Sequence, residues 1–455
     1  MKVLFVRPKP SPETIGLQHV MIVEPLELEI LATLIKAEHE VRIVDMILEK
    51  RELDYFINNF KPDVICVTGY ITHIPVVIQY CEAAKFINQH IITIVGGVHV
   101  EKFPEDINHK AIDYRVIRNA TRSFPQLFDF FAGKSLFPQG ILKTDELPNE
   151  TKQPAYDFFS PIPDRSFTEK YRSNYFYVFR NKVALIKTSF GCPFHCKFCF
   201  CRIITGDNYY VRPLNEVIDE LASIKEKEIY IVDDDFLINT SRIKEFIGLI
   251  KERGIRKKYL VYGRADFIAA NPELIKEFKE VGLRTVIVGL ESFDDIELND
   301  FNKQSTGNTN KLAMTVLNKF KVDCYAAVII SPSWSLSDFK KAGDIMIALG
   351  IKFVNLQPLT PLKGTELIVN EKDLVINRCD FAKWDLAHVT IRPEKMSLKD
   401  FYINILNLYL RIVVNPRNLI SHLKYPLNMQ LKMISGMLKV KKQYINKIME
   451  ITENA

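Results

Sequence analysis

The sequence has no run of about 18 uninterrupted apolar residues, which argues against a membrane-spanning helix. Its first residues, MKVLFVRP, carry too short an apolar stretch for a secretory signal peptide. Neither charge sign dominates: 61 Lys and Arg against 55 Asp and Glu leave +6, too small a surplus for a dedicated nucleic-acid binder. No internal repeat or low-complexity tract stands out. The eight cysteines are not spread as a disulfide framework, because four of them fall within residues 192–201. Clustered thiols without an export signal point to reduced cysteine, metal and a cytoplasmic location. What is present is a core-forming composition, 47% hydrophobic and 25% charged, with length for about three domains.

Residues 1–135 alternate short apolar runs with helical patterns. KVLFV (2–6), EVRIVD (40–45), DVICVTG (63–69), IITIVGG (91–97) and DYRVI (113–117) read as buried strands. Helical spacing fills 24–39, the segment near 51–59, and 74–89. This predicts a Rossmann-like, doubly wound parallel sheet, whose ligand would lie beyond the carboxyl ends of the strands. The loops RPKPSPETIG, TGYITHIP and GGVHV are then the informative ones. Residues 136–180, rich in Pro, Asp and aromatics, read as a connecting segment.

A second series runs from 181 to 370. VALIKTSF (183–190), EIYIVDDD (228–235), KYLVYGRAD (258–266), RTVIVGLES (284–292), CYAAVIIS (324–331) and KFVNLQPL (352–359) are its expected strands. Helical patterns separate them, with Asn271–Pro272 as a helix start and Gly254, Gly282 and Gly350 as stops. Six βα units predict a partial (βα)6 TIM-type barrel with its chemistry at the carboxyl ends. Residues 371–455 read as a helical region, basic after Arg411.

The strongest chemical signal is GCPFHCKFCF (191–200), which places Cys192, Cys196 and Cys199 at C-x3-C-x2-C spacing just after the first barrel strand. Such thiolates can fold around an iron–sulfur cube, leaving one iron open to an outside ligand. Zinc is the rival reading, with Cys201 or His195 as a fourth ligand.

On these residues the chain resembles the radical S-adenosylmethionine (SAM) superfamily, specifically its enzymes with an N-terminal cobalamin-binding-type domain. The resemblance implies that Cys192, Cys196 and Cys199 hold a [4Fe–4S] cluster whose fourth iron chelates SAM, with Phe198 against the adenine. One electron from the cluster would cleave SAM to a 5′-deoxyadenosyl radical. The resemblance further implies acceptors for the SAM amine at Asp233, Asp234 and Asp235. An aspartate run at a strand end is equally an ordinary solvated turn. Arg264 would pair with the SAM carboxylate, or else serve a structural ion pair. Glu291 would lie near the ribose and methionine, and Gln357 would face the SAM site. SPSWS (331–335) departs from the family's Gly-Pro-Gly-Glu-like turn.

In the N-terminal domain the resemblance rests on EPLELEILATLIKAEHEVRIVD, TGYITHIP and GGVHV. Gly96 and Gly97 would admit a flat corrin close to the backbone. The Asp-x-His-x-x-Gly signature is missing, and VIRNATRSFPQLF (116–128) lacks the Gly-Glu-Gly-Glu-like turn. Tyr70, His73 and His99 lie in candidate ligand loops. Cys201 could serve the substrate side, and His388, in WDLAHVTIRPEKM (384–396), could transfer a proton. Cys66, Cys81, Cys324 and Cys379 read as small core residues.

The implied function is modification of an unactivated carbon after hydrogen abstraction. With cobalamin bound, that means methyl transfer; without it, radical cyclisation, C–C coupling or oxidation. A corrinoid-binding sensor would leave the cluster loop unexplained, and a zinc-stabilised interaction protein would explain the cysteines alone. Expected partners are a small-molecule or lipid-like substrate and an electron donor such as flavodoxin or ferredoxin. The basic, amphipathic tail 419–449 docks on the barrel, lies on an anionic membrane surface or embraces an apolar substrate.

Overall fold

Alternating side chains of the first strands point to two different helix layers, which is why these runs are apolar at every position. The computed structural model describes residues 1–149 and 153–453. Residues 150–152 of the expected connecting segment and the last two of the C-terminal region lie outside the described residues. The first sheet comprises β1 (Lys2–Arg7), β2 (Glu40–Asp45), β3 (Val64–Thr68), β4 (Ile92–Gly96), β5 (Tyr114–Val116) and β6 (Ile141–Lys143), in the order β2-β1-β3-β4-β5-β6. All neighbours pair in parallel except β5 and β6. Leu4, Val6, Ile65 and Val67 pack against α2 (Leu53–Phe60) and α3 (Ile74–Ile87). Val3, Phe5, Val64 and Cys66 pack with α1 (Leu26–Ile35) and α4 (Ala120–Phe131). Each such apolar side chain contributes about 1.5–3 kcal/mol by leaving water.

Two of these elements were not expected. Helix α4 occupies the stretch that lacks the family's acidic turn, and it contains Pro125. Its buried Phe124, Leu127 and Phe128 compensate for the hydrogen bond that a proline cannot make. The edge strand β6 lies in the expected connecting segment, where three residues are too few to display alternation.

The second sheet comprises β7 (Val183–Ile186), β8 (Glu228–Ile231), β9 (Lys258–Gly263), β10 (Leu283–Glu291), β11 (Asp323–Ile330) and β12 (Phe353–Pro358). They follow one another in chain order, all parallel. The intervening helices include α5 (Leu214–Ser223), α6 (Thr240–Glu252), α7 (Pro272–Val281), α8 (Gly307–Lys319) and α9 (Leu336–Ala348). They share one core with the strands, in which Val217, Phe246, Phe278, Leu317 and Met346 are buried. The helix stops fall at Gly254, Gly282 and Gly350, as expected. Asn271 occupies the cap position of α7, but its side chain turns instead to the Thr240 hydroxyl and the Phe267 carbonyl.

The chain forms two units: residues 1–14, 24–175 and 379–385 in one, and 15–23, 176–378 and 386–455 in the other. The second unit ends in α10 (Leu398–Val413), α11 (Pro416–His422) and α12 (Leu427–Glu453). Tyr444 enters the barrel core, with Val440 and Ile448 against it. Among the described residues no helix is long and apolar enough to cross a membrane. Cys66, Cys81 and Cys324 are buried as expected; Cys379 is exposed, because it sits in a turn and not in an apolar element.

Candidate active site

Beyond β7, Ser189–Phe190 pairs antiparallel with Tyr210–Val211 and closes the neck of a loop. Gly191 begins that loop with φ +79°, and a Cβ there would meet the Asn208 carbonyl oxygen at 2.1 Å, so only glycine fits. Its N–H donates to Asp234 Oδ2 at 3.0 Å. The loop's outer turn is tied down by Lys197 N–H to the Phe301 carbonyl (3.0 Å) and by Asn302 Nδ2 to the His195 carbonyl (2.7 Å). Phe198 stands edge-on to Phe301, ring centres 5.6 Å apart.

This loop holds Cys192, Cys196 and Cys199. Cys196 is buried and the other two half-buried. Burial pushes the Cys192 thiol up to about 12. It raises Cys196 as well, against the pull of Lys303 and Arg264. Cys199 moves the other way, lowered by a hydrogen bond with Cys201. Cys201, at the start of the short helix Cys201–Thr205, is held between Cys199 and Asp234, and its own thiol is pushed up. Among the described residues no three His, Cys, Asp or Glu side chains converge on one ion position. A four-iron cube spreads its thiolates over separate iron corners and does not require them to share one.

The three aspartates at the end of β8 divide their work. Asp233 is fully buried and saturated: it accepts from Thr188 N–H (2.6 Å), Thr188 Oγ1 (2.5 Å) and Ser189 Oγ (2.8 Å), joining the ends of β8 and β7. These protein donors make Asp233 a weaker candidate for the cofactor amine than its neighbour. Asp235 is the opposite case. It is 3% exposed, and neither carboxylate oxygen has a hydrogen-bond partner among the described residues. Burial pushes its carboxyl up to about 8, against the pull of Arg264 and Lys303. A buried carboxylate without a donor is costly, and a ligand ammonium would satisfy it.

Arg264 makes the structural ion pair that is the second of its two readings. Its Nε and Nη2 lie 3.0 Å from the Asp266 carboxylate, and Nη2 donates to the Lys303 carbonyl at 2.7 Å. The fork expected for a SAM carboxylate is thus turned to the protein, with the guanidinium 3.7 Å over the Phe194 ring and Nη1 3.9 Å from Cys196 Sγ. Glu291 follows a register break in β10 with φ 58°, and the bulge aims it at Lys303 Nζ, 2.9 Å away. Lys303 had no signal in the sequence, since it follows the short helix Asp295–Asp300 and no strand end. Gln357 lies half-buried in β12. Trp334 of the SPSWS turn is buried and donates its indole N–H to Glu297. His388 is 2% exposed.

In the first unit, Arg7 and Asp45 pair at 3.3 Å at the ends of β1 and β2. Tyr70 is 65% exposed beyond β3. His73 Nδ1 accepts from Tyr70 N–H, and burial beside Arg7 holds the imidazole down at about 4, so it is neutral. His99 is a satisfied core residue, its Nε2 2.9 Å from Asp106. Gly97 has φ +113°, and a Cβ on it would strike the Gly69 carbonyl oxygen at 2.4 Å. It brings two protein backbones together, which by itself requires glycine there. Gly96 is the open one, its Cβ direction meeting only Val116 at 3.6 Å.

Comparison with known proteins agrees with both halves. Residues 14–128 match the B12 binding domain and residues 186–352 the radical SAM superfamily. The chain is similar to the hopanoid C-3 methylase of Methylococcus capsulatus, 28% identical over 88% of this chain and 78% of the relative. An uncharacterised methyltransferase of Pyrococcus horikoshii is 26% identical over 97% of this chain and 98% of its own length. Among solved structures, the cobalamin-dependent radical enzyme OxsB, with aqua-cobalamin and SAM bound, shares the fold. Its TM-score is 0.68 at 14% identity, covering 100% of this chain and 80% of that one. The methyltransferase TsrM of Kitasatospora setae gives 0.65 at 15%, covering 98% and 99%. The cofactors that the two domains imply are cobalamin, a [4Fe–4S] cluster and SAM. The chain is a radical SAM enzyme, of the group whose barrel follows a B12-binding domain.

Proposed function

We propose that the chain transfers a methyl group to an unactivated carbon of a lipid-like small molecule. The observation that carries this is the joint presence, in one chain, of a B12 binding domain and a loop of three cysteines beside the open Asp235 carboxylate. Cys192, Cys196 and Cys199 would hold the cluster, and Asp235 would accept the SAM ammonium. Phe198 would lie against the adenine, while Glu291 and Gln357 would serve the ribose and methionine side. The cofactors supply radical cleavage of SAM and a transferable methyl group; the protein supplies orientation and exclusion of water. Lys303 holds Glu291 in place through their 2.9 Å ion pair.

In the first unit Gly96 is the position for close approach of a corrin, with Gly97 shaping the loop. Tyr70 would cover the ring's edge. Cys201 is assigned as the donor that positions Cys199, and His388 as a proton-transfer group on the substrate side. The similarity to a hopanoid methylase supports a lipid-like substrate. The same reading includes cytoplasmic residence, a flavodoxin- or ferredoxin-type electron donor, and peripheral membrane contact through the C-terminal helix.

The test is anaerobic reconstitution with iron, sulfide and hydroxocobalamin, followed by incubation with trideuteriomethyl-labelled SAM, a reductant and a polycyclic lipid fraction. A lipid product carrying the intact labelled methyl supports the reading. A product with a new ring or oxygen and no label favours the cyclising or oxidising alternative, a class that includes the magnesium-protoporphyrin cyclases to which the chain is also similar.

A further inference from the structure

We infer that the outward faces of α11 and α12 form a docking surface for an anionic lipid bilayer. This deepens the membrane contact proposed above by naming the residues and the lipid charge, and it does not depend on methyl transfer. Helix α12 is apolar on two sides. One side docks on its own unit: Met429 and Tyr444 are buried, and at Gly436 a Cβ would meet the His19 carbonyl oxygen at 2.1 Å. The other side carries Leu427, Leu431, Ile434, Leu438, Ile445 and Met449, spaced by four, three, four, seven and four residues along one stripe. All six are exposed, from 37 to 69%. Leu419, Ile420 and Leu423, on and just after α11, are exposed apolar residues as well, at 46, 69 and 70%.

Isolated surface leucines need no explanation, but a contiguous stripe at helical spacing marks a contact. Its neighbours say with what. Lys441 and Lys442 stand three and four residues beyond Leu438, on the stripe itself, and Lys439 adjoins it. Residues 416–453 hold seven Lys or Arg against two Asp or Glu. This excess of five accounts for most of the chain's net +6. Apolar side chains flanked by lysine on a surface helix are what an interfacial helix presents to acyl chains and anionic headgroups. A bilayer surface would deliver a lipid-like substrate without release into water.

The experiment is flotation of the reconstituted full chain with phosphatidylcholine vesicles, with and without phosphatidylglycerol. The expected result is flotation with phosphatidylglycerol only, weakened by added salt. K439E/K441E/K442E should weaken binding by about 100-fold or more, at roughly fivefold or greater per lysine. L431S/I434S/L438S should weaken it by at least about tenfold. Both variants should keep wild-type cluster absorbance, melting temperature and 5′-deoxyadenosine formation, which shows that the fold and site are intact. No flotation on anionic vesicles, or equal flotation on neutral ones, overturns the inference. So does a wild-type dimer in solution that L431S/I434S/L438S converts to monomer, because a second copy would then cover the stripe. Flotation with no labelled lipid product would leave this surface standing while the methyl-transfer reading fell.

Discussion

Arg264 brings one guanidinium nitrogen to 3.9 Å from the sulfur of Cys196, while Asp266 grips its other edge. A positive donor at a cluster thiolate stabilises the more negative, reduced cluster. Arg264→Gln should therefore lower the cluster's midpoint potential, by on the order of 50 mV, with Arg264→Lys recovering part of the loss. Potentiometric titration followed by electron paramagnetic resonance reads this directly. An unchanged potential would make Arg264 a packing residue only.

Asp235 sets a pH dependence. Its carboxyl is pushed up to about 8 in the fold, whereas an unfolded chain holds it near 4. Native protein thus binds the extra proton between those values, so the group's contribution to stability is complete below about pH 4 and is lost as pH rises through 8. In cluster-free protein the melting temperature should fall across that window. Asp235→Asn should flatten the fall and melt about 4 °C above wild type past pH 8. The same variant should weaken SAM binding by on the order of 100-fold, since the ammonium loses its buried counter-charge. Wild-type affinity in the variant would remove Asp235 from the site.

The two glycines of the first unit should separate folding from corrin binding. Gly97→Ala places a Cβ 2.4 Å from the Gly69 carbonyl oxygen at φ +113° and should cost more than about 2 kcal/mol of stability. Gly96→Ala meets ordinary contact at 3.6 Å and should leave the melting temperature unchanged. It should nevertheless reduce retention of hydroxocobalamin, measured by corrin absorbance after gel filtration. Full retention would place the corrin elsewhere.

The cysteines separate iron from zinc. Replacing Cys192, Cys196 and Cys199 together by alanine should abolish the brown absorbance and 5′-deoxyadenosine formation. On the proposed assignment, in which Cys192, Cys196 and Cys199 hold the cube and Cys201 positions Cys199, Cys201→Ala should keep about four irons per chain. Zinc bound stoichiometrically in wild type, and lost in Cys201→Ala, would reverse the assignment.

The strands and the cluster loop were legible because their signals are local. In β1, Leu4 and Val6 serve one helix layer and Val3 and Phe5 the other, so burial on both sides writes itself as a continuous apolar run. The cysteine spacing is likewise complete within eight residues. Helix α4 was hidden by Pro125, and β6 by its length of three residues.

From the residues alone came two α/β series with parallel strands and the gathering of three thiols in one loop, since periodicity and short-range spacing are properties of the chain itself; the order of the strands in the first sheet did not. Which aspartate is open and which is saturated, and that Arg264 faces Asp266, depended on contacts between segments far apart in sequence. So did the pairing of Lys303 with Glu291 and the close approach of Gly97 to Gly69. A side chain's neighbours across strands follow only from how the strands are laid together, so these assignments belong to the tertiary structure.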